Sequence, residues 1–170
     1  MSHLSIPFKG LQDGKHTLVF EIDDDFFTHF ENEVVGNGQF TVQLELDKKP
    51  RVTETTWRVE GKTRVSCDRC LENIELPIVG SYSLLIQYDE EERCEEEVLY
   101  IAPDTSVISV SDLIYEYIVL SIPTIKVYDC ESDSPIPCNE EVLEKLENRP
   151  EKEADSPVWD SLKGIKFDNK

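Results

Sequence analysis

Between residues 40 and 88 the chain offers one extended run after another, each ended by a turn too short for a parallel return. A parallel crossover needs a dozen or more residues, so neighbouring runs must pair antiparallel. The clearest run is 40–46, where Phe40, Val42, Leu44 and Leu46 alternate with Thr41, Gln43 and Glu45. A period of two puts one set in a core and the other in water. Gly36-Asn37-Gly38 turns the chain into this run, and 47–50 turns it out. Residues 51–60, rich in threonine and carrying Trp57, extend again, and Gly61-Lys62 predicts a turn into 63–66. Further on, 74–79 and 82–88 make either one long strand or two hinged at Gly80, with Tyr82, Leu84, Ile86 and Tyr88 on one face. Upstream, Leu18, Phe20 and Ile22 alternate over 17–22, and Pro7 confines the short run 4–8 to an edge. Residues 98–101 return as a last strand.

Helical signals are fewer. Val110, Leu113, Ile114, Tyr117 and Ile118 trace an apolar stripe ended by Pro123, and Ser109 to Asp112 resembles a capping box. This main helix packs on the sheet. Short helices are predicted near 24–31, after Asp23-Asp24-Asp25, near 139–147 with Asn139 as its cap, and near 156–163. The expected fold is therefore α+β: an antiparallel β-meander, open sheet or partial barrel, packed by one main helix. Residues 1–147 make one domain, and 148–170 a linker followed by a C-terminal docking helix around Val158, Trp159 and Leu162.

The formal charge of −19 disfavours long-range attraction to phosphate backbones. RNA contact therefore needs a local basic patch, for which Lys48, Lys49, Arg51 and Arg58 are the candidates, or a basic protein partner. No apolar run approaches the roughly 20 residues that span a bilayer. The N-terminus also lacks a basic region followed by an apolar one. A soluble, cytoplasmic protein with no membrane partner is expected.

Cys67-Asp68-Arg69-Cys70 falls between two extended runs, which places both thiols at a turn. Sulfurs at this spacing grip one metal ion, close a small disulfide, or are simply small side chains at a bend. The metal reading asks Cys67, Cys70, Cys130 and Cys138 to converge on zinc, since zinc suits thiolates in a tetrahedron. If only Cys138 joins the pair, His16 or His29 completes the set. The redox reading wants a thiol at a helix N-terminus in a βαβ setting, and neither Leu71-Glu72-Asn73 nor the antiparallel context supplies one. Cys94 stands among acids that would repel a thiolate, which makes it a poor nucleophile. Asp23, Asp24 and Asp25 are consecutive with no glycine-bearing loop behind them, so helix capping suits them better than metal binding. No hydrolase elbow, phosphate loop or zinc-protease helix appears, so neither catalysis nor a small-molecule substrate is indicated.

Val65-Ser66-Cys67-Asp68-Arg69-Cys70-Leu71-Glu72 resembles the YceD-like family. So do the helix 113–120 running into Ser121-Ile122-Pro123, Cys138 before a short acidic helix, and 155–167 with its Trp-x-x-Leu-Lys. The likeness runs from about residue 10 to the end. It bears on Cys67, Cys70 and Cys138, while related chains vary around Cys130. Bacterial and plastid members are linked to accumulation or processing of large-subunit ribosomal RNA. The resemblance implies a non-enzymatic ribosome-biogenesis factor that binds a basic ribosomal protein or a large-subunit precursor. Direct binding of structured ribosomal RNA is the alternative, and a metal-dependent nuclease using Asp23 to Asp25 is a third.

Overall fold

The computed structural model describes residues 4–30, 37–129 and 137–148. The alternating runs form β2 (Gly14–Ile22), β3 (Gln39–Lys48), β4 (Val52–Ser66) and β5 (Asn73–Tyr88), each antiparallel to the next. Within them Phe40, Val42, Leu44, Leu46, Trp57 and Val59 are buried, while Thr41, Arg58 and Glu60 face water. One face of the sheet thus carries the core and the other is wet, as the period of two requires.

The meander ends at β5. β7 (Val98–Ile101) returns parallel to β5, and β6 (Arg93–Glu95) pairs antiparallel on the far side of β7. The sheet order is β2-β3-β4-β5-β7-β6, an open and mixed α+β sheet. β1 (Ser5–Ile6) pairs with β8 (Ile108–Ser109) in a separate two-stranded sheet.

Gly61-Lys62 does not turn the chain. β4 runs straight through, with Gly61 paired to Phe40 on one side and Ile78 on the other. A Cβ at Gly61 would run into the Gln39 carbonyl and the Phe40 backbone, so this glycine permits close approach of strands. Gly80 likewise leaves β5 unbroken and makes room for Ser121 at the end of the main helix.

That helix is α2 (Ser111–Ser121), packed chiefly on β5 with a lesser contact to β4. Ile114, Tyr117 and Ile118 of the predicted stripe are buried. There is no capping box: Ser109 belongs to β8, and the N-cap position falls on Val110, which has no side chain to cap with. Ile122 is extended, as the residue before Pro123 must be to avoid the proline ring. α1 is shorter than expected (Asp24–Phe27), and Asp23 at its N-cap makes no side-chain capping bond. α3 (Glu140–Glu147) starts as predicted, with Asn139 Oδ1 accepting from the Val142 N–H at 3.3 Å. The expected helix at 156–163 lies outside the described residues. Among the described residues no helix is long and apolar enough to cross a membrane.

Candidate thiol turn and acidic cleft

β4 and β5 continue past the last β3 pair, Gln39 with Lys62, as a two-stranded ribbon from Thr63–Leu76 to Ser66–Asn73. Cys67 to Glu72 close its tip. The Cys67 N–H donates to the Glu72 carbonyl at 2.8 Å and the Leu71 N–H to the Cys67 carbonyl at 2.9 Å. Ser66 Oγ donates to the Leu71 carbonyl at 3.2 Å. Leu71 takes the left-handed conformation (φ 61°) needed to bring the chain back into β5, although its side chain is exposed.

Both thiols point inward and are 1% exposed. Burial pushes the Cys67 thiol up, but the backbone N–H groups of Cys70 and Arg69 and the Cys70 thiol bond to its sulfur and hold it below its ordinary value. No helix follows the turn, since β5 begins at Asn73, so the dipole that activates a redox dithiol is absent here.

The tip also gathers the chain that leaves α2. The Asp68 N–H donates to the Lys126 carbonyl at 2.8 Å, and the Lys126 N–H donates back to Asp68 Oδ2 at 2.7 Å. Arg69 reaches Glu147, the last residue of α3, at 4.0 Å. Cys138 is buried in the same continuous core as Cys67 and Cys70 and is disulfide-bonded. Cys130 lies outside the described residues. His16 and His29 are engaged elsewhere, His16 Nε2 with the Gln12 carbonyl (2.8 Å) and His29 Nδ1 with that of Asp25 (3.0 Å). Among the described residues no three His, Cys, Asp or Glu side chains form a metal-sized group. Cys94 is exposed, in β6.

A second feature was not legible in the sequence. An open cleft of about 540 Å³ lies beside α1, lined by Glu21, Asp23, Asp25, Asp112 and His29, with Phe26 and Phe30 supplying apolar surface. Among the described residues no lysine or arginine lines it. The three consecutive aspartates do not converge: Asp23 and Asp25 line the cleft, whereas Asp24 Oδ1 accepts from the Gly38 N–H at 2.8 Å. The signal in sequence was only the acidic run; Glu21 and Asp112 reach the cleft from β2 and α2.

Of the four cations offered as a basic patch, three are committed internally. Lys48 Nζ donates to the carbonyls of Phe8 and Leu11, each at 2.8 Å. Arg58 pairs with Glu45 at 3.0 Å. Lys49 pairs with Glu54 at 2.6 Å, a hydrogen bond that holds its ammonium above the ordinary lysine range.

The order of thiol turn, main helix with its terminal proline, and buried Cys138 before an acidic helix is now fixed in space. Residues 55–166 match the family described as Large ribosomal RNA subunit accumulation protein YceD. The chain belongs to the YceD family. Membership gives it a role in the accumulation of large-subunit ribosomal RNA. The YceD match takes in the thiol turn, α2 and α3, and begins downstream of β2, α1 and β3, which is narrower than the likeness expected from residue 10. No curated protein and no solved structure matches the chain.

Proposed function

We propose that this YceD-family chain supports large-subunit ribosomal RNA accumulation without catalysis, as a cytoplasmic factor that binds a basic ribosomal protein or a precursor particle displaying one. The observation that carries this reading is the imbalance between committed cations and open carboxylates. Lys48, Lys49 and Arg58 already bond within the molecule, while the cleft presents four carboxylates and, among the described residues, no lysine or arginine. On a chain of charge −19 such a surface favours a partner of opposite sign and steers its approach. Direct RNA binding through the basic patch would first have to break those internal bonds.

Affinity capture of the full chain, with and without nuclease treatment, tests the reading. Basic large-subunit proteins retained after nuclease support it, and their release by added salt fits a charge-driven contact. Loss of every ribosomal protein on nuclease treatment overturns it in favour of RNA contact. Magnesium-dependent RNA cleavage by the pure protein, abolished in Asp25→Asn, overturns the non-enzymatic part.

A further inference from the structure

We propose that the free edge of β2 is a self-association surface, on which a second copy of this chain pairs its own β2 antiparallel and continues the sheet. The sheet is open, and its two ends are built differently. At one end β6 has only three residues, and Arg93 is tied to Asp89 and Glu95, so that edge is short and charged. At the other, β2 has nine residues, all paired with β3 in unbroken register from Gly14 with Lys48 to Ile22 with Phe40. Among the described residues no strand covers the outer side of β2. Neither a proline nor a bulge blunts it, and a long edge of this kind is a template for another strand.

The sequence of β2 is complementary to its own copy. In an antiparallel pair related by a two-fold axis, residues directly opposite share a face, so the axis must pass through a residue that faces itself. Full overlap of the nine residues puts Leu18 on that axis. Lys15 then lies opposite Glu21 of the second copy, twice by symmetry, and Thr17 lies opposite Val19. All four are exposed on the wet face, Val19 at 56%. Lys15 makes no ion pair among the described residues. Glu21 uses Oε2 to accept from Thr41 Oγ1 at 3.0 Å, which leaves its other oxygen for an incoming lysine. On the core face Leu18 meets Leu18 and His16 meets Phe20. Leu18 and Phe20 are only half-buried in the single chain, although they belong to the core-facing set, so the added strand covers apolar surface that the edge leaves open.

Charge decides how this association responds to salt. Lys15 and Glu21 offset each other within β2, but each copy carries −19, and Asp13 meets Asp23 just beyond the strand ends. Salt screens those repulsions, so self-association strengthens as salt rises. A basic partner drawn by the acidic cleft responds in the opposite sense, so the two readings stand or fall separately.

Sedimentation equilibrium of the full chain, joined to amide exchange, tests the proposal. A dimer is expected with a dissociation constant on the order of 10 to 100 µM, since one added strand pair makes a small interface. Lys15→Glu and Glu21→Lys each set like charges opposite one another twice and should weaken dimerisation about tenfold or more. The two exchanges together restore the complement and should return the affinity to within about threefold of wild type. Glu21→Lys is the sharpest arm, because it reduces the net negative charge of each copy and would strengthen any association governed by overall repulsion. Amides of β2 should gain protection as concentration rises, while those of β6 do not. A chain that stays monomeric at about 300 µM in added salt overturns the proposal. So does a dimer that Glu21→Lys strengthens, or one that the double exchange fails to restore. Should a variant misfold, exchange in the wild type decides: dimerisation that leaves β2 amides unprotected overturns the proposal, and protection confined to β2 supports it.

Discussion

The body of the sheet and the end of its longest hairpin are built on different terms. In the body, β2 to β5 lie side by side with α2 across one face, and Phe40, Val42, Leu44, Leu46, Trp57, Val59, Leu84 and Ile86 are buried between them. Trp57, with no exposed surface, is its centre. The indole stacks against Phe20 (6.5 Å between centroids) and meets Tyr117 (5.6 Å), and its N–H donates to Thr55 Oγ1 at 2.9 Å. At the hairpin end only two strands continue, and they bury Cys67, Cys70, Ile74 and Leu76 together with Thr63. There the neighbouring segments are held by single bonds at named atoms. Where a helix supplies area, many contacts share the load; where none does, a few point tethers must hold. Trp57→Ala should therefore give the largest loss, about 3 to 5 kcal/mol by urea denaturation. A loss below about 1 kcal/mol would mean that the body is no better packed than the tip.

A pH experiment sharpens the same contrast. The Tyr117 ring lies flat on Tyr82 (4.6 Å, 4°), and Ser121 Oγ joins the two residues through the Tyr82 hydroxyl (3.0 Å) and the Tyr117 carbonyl (2.6 Å). Burial first, then the negative charges of Glu116, Cys94 and Glu97, pushes its phenol up to about 12. Because the folded value lies above the unfolded one, the stabilisation from neutral Tyr117 is complete below about pH 10. It is lost as pH rises through about 12. Absorbance titration of the chain should show a late tyrosine step that disappears in Tyr117→Phe. If the late step is missing from wild type, water reaches the packed face and the distinction between body and tip weakens.

Much of this was readable from the residues, and the misreadings have physical causes. Alternation over 40–46 gave β3 its face because the period of two is local. Asn139 announced α3 because a cap acts within one turn. Gly61 was misread because glycine marks both turns and close approach, and only the Gln39 carbonyl, distant in sequence, decides between them. The parallel return of β7 was hidden because four residues carry too little pattern to state a direction. The position of the thiol turn was legible. The clamp onto it was not, because Lys126 contributes only its backbone, which leaves no mark on residue type. The cleft failed for a related reason: Glu21 and Asp112 are brought to Asp23 and Asp25 by the fold rather than by spacing.

The smallest effects test the tethers themselves. Asp68→Ala removes the carboxylate that accepts from Lys126 and should cost about 1 kcal/mol, with faster exchange at the Lys126 amide and none at amides of β3. Uniform acceleration across the sheet would show that the tip and body open together. Leu71→Gly asks whether apolar packing holds the tip after all. Leu71 is 74% exposed, so its truncation forfeits little burial. Its left-handed backbone costs a leucine about 1 to 2 kcal/mol. Glycine removes that strain but brings about 0.5 to 1 kcal/mol of added freedom to the unfolded chain. The net is a gain of roughly 0.5 kcal/mol, a small rise in thermal midpoint. A fall instead would mean that the Leu71 side chain packs against the clamped segment, near exposed Ile125 and Val127, and that the tip is bound by a surface rather than by points.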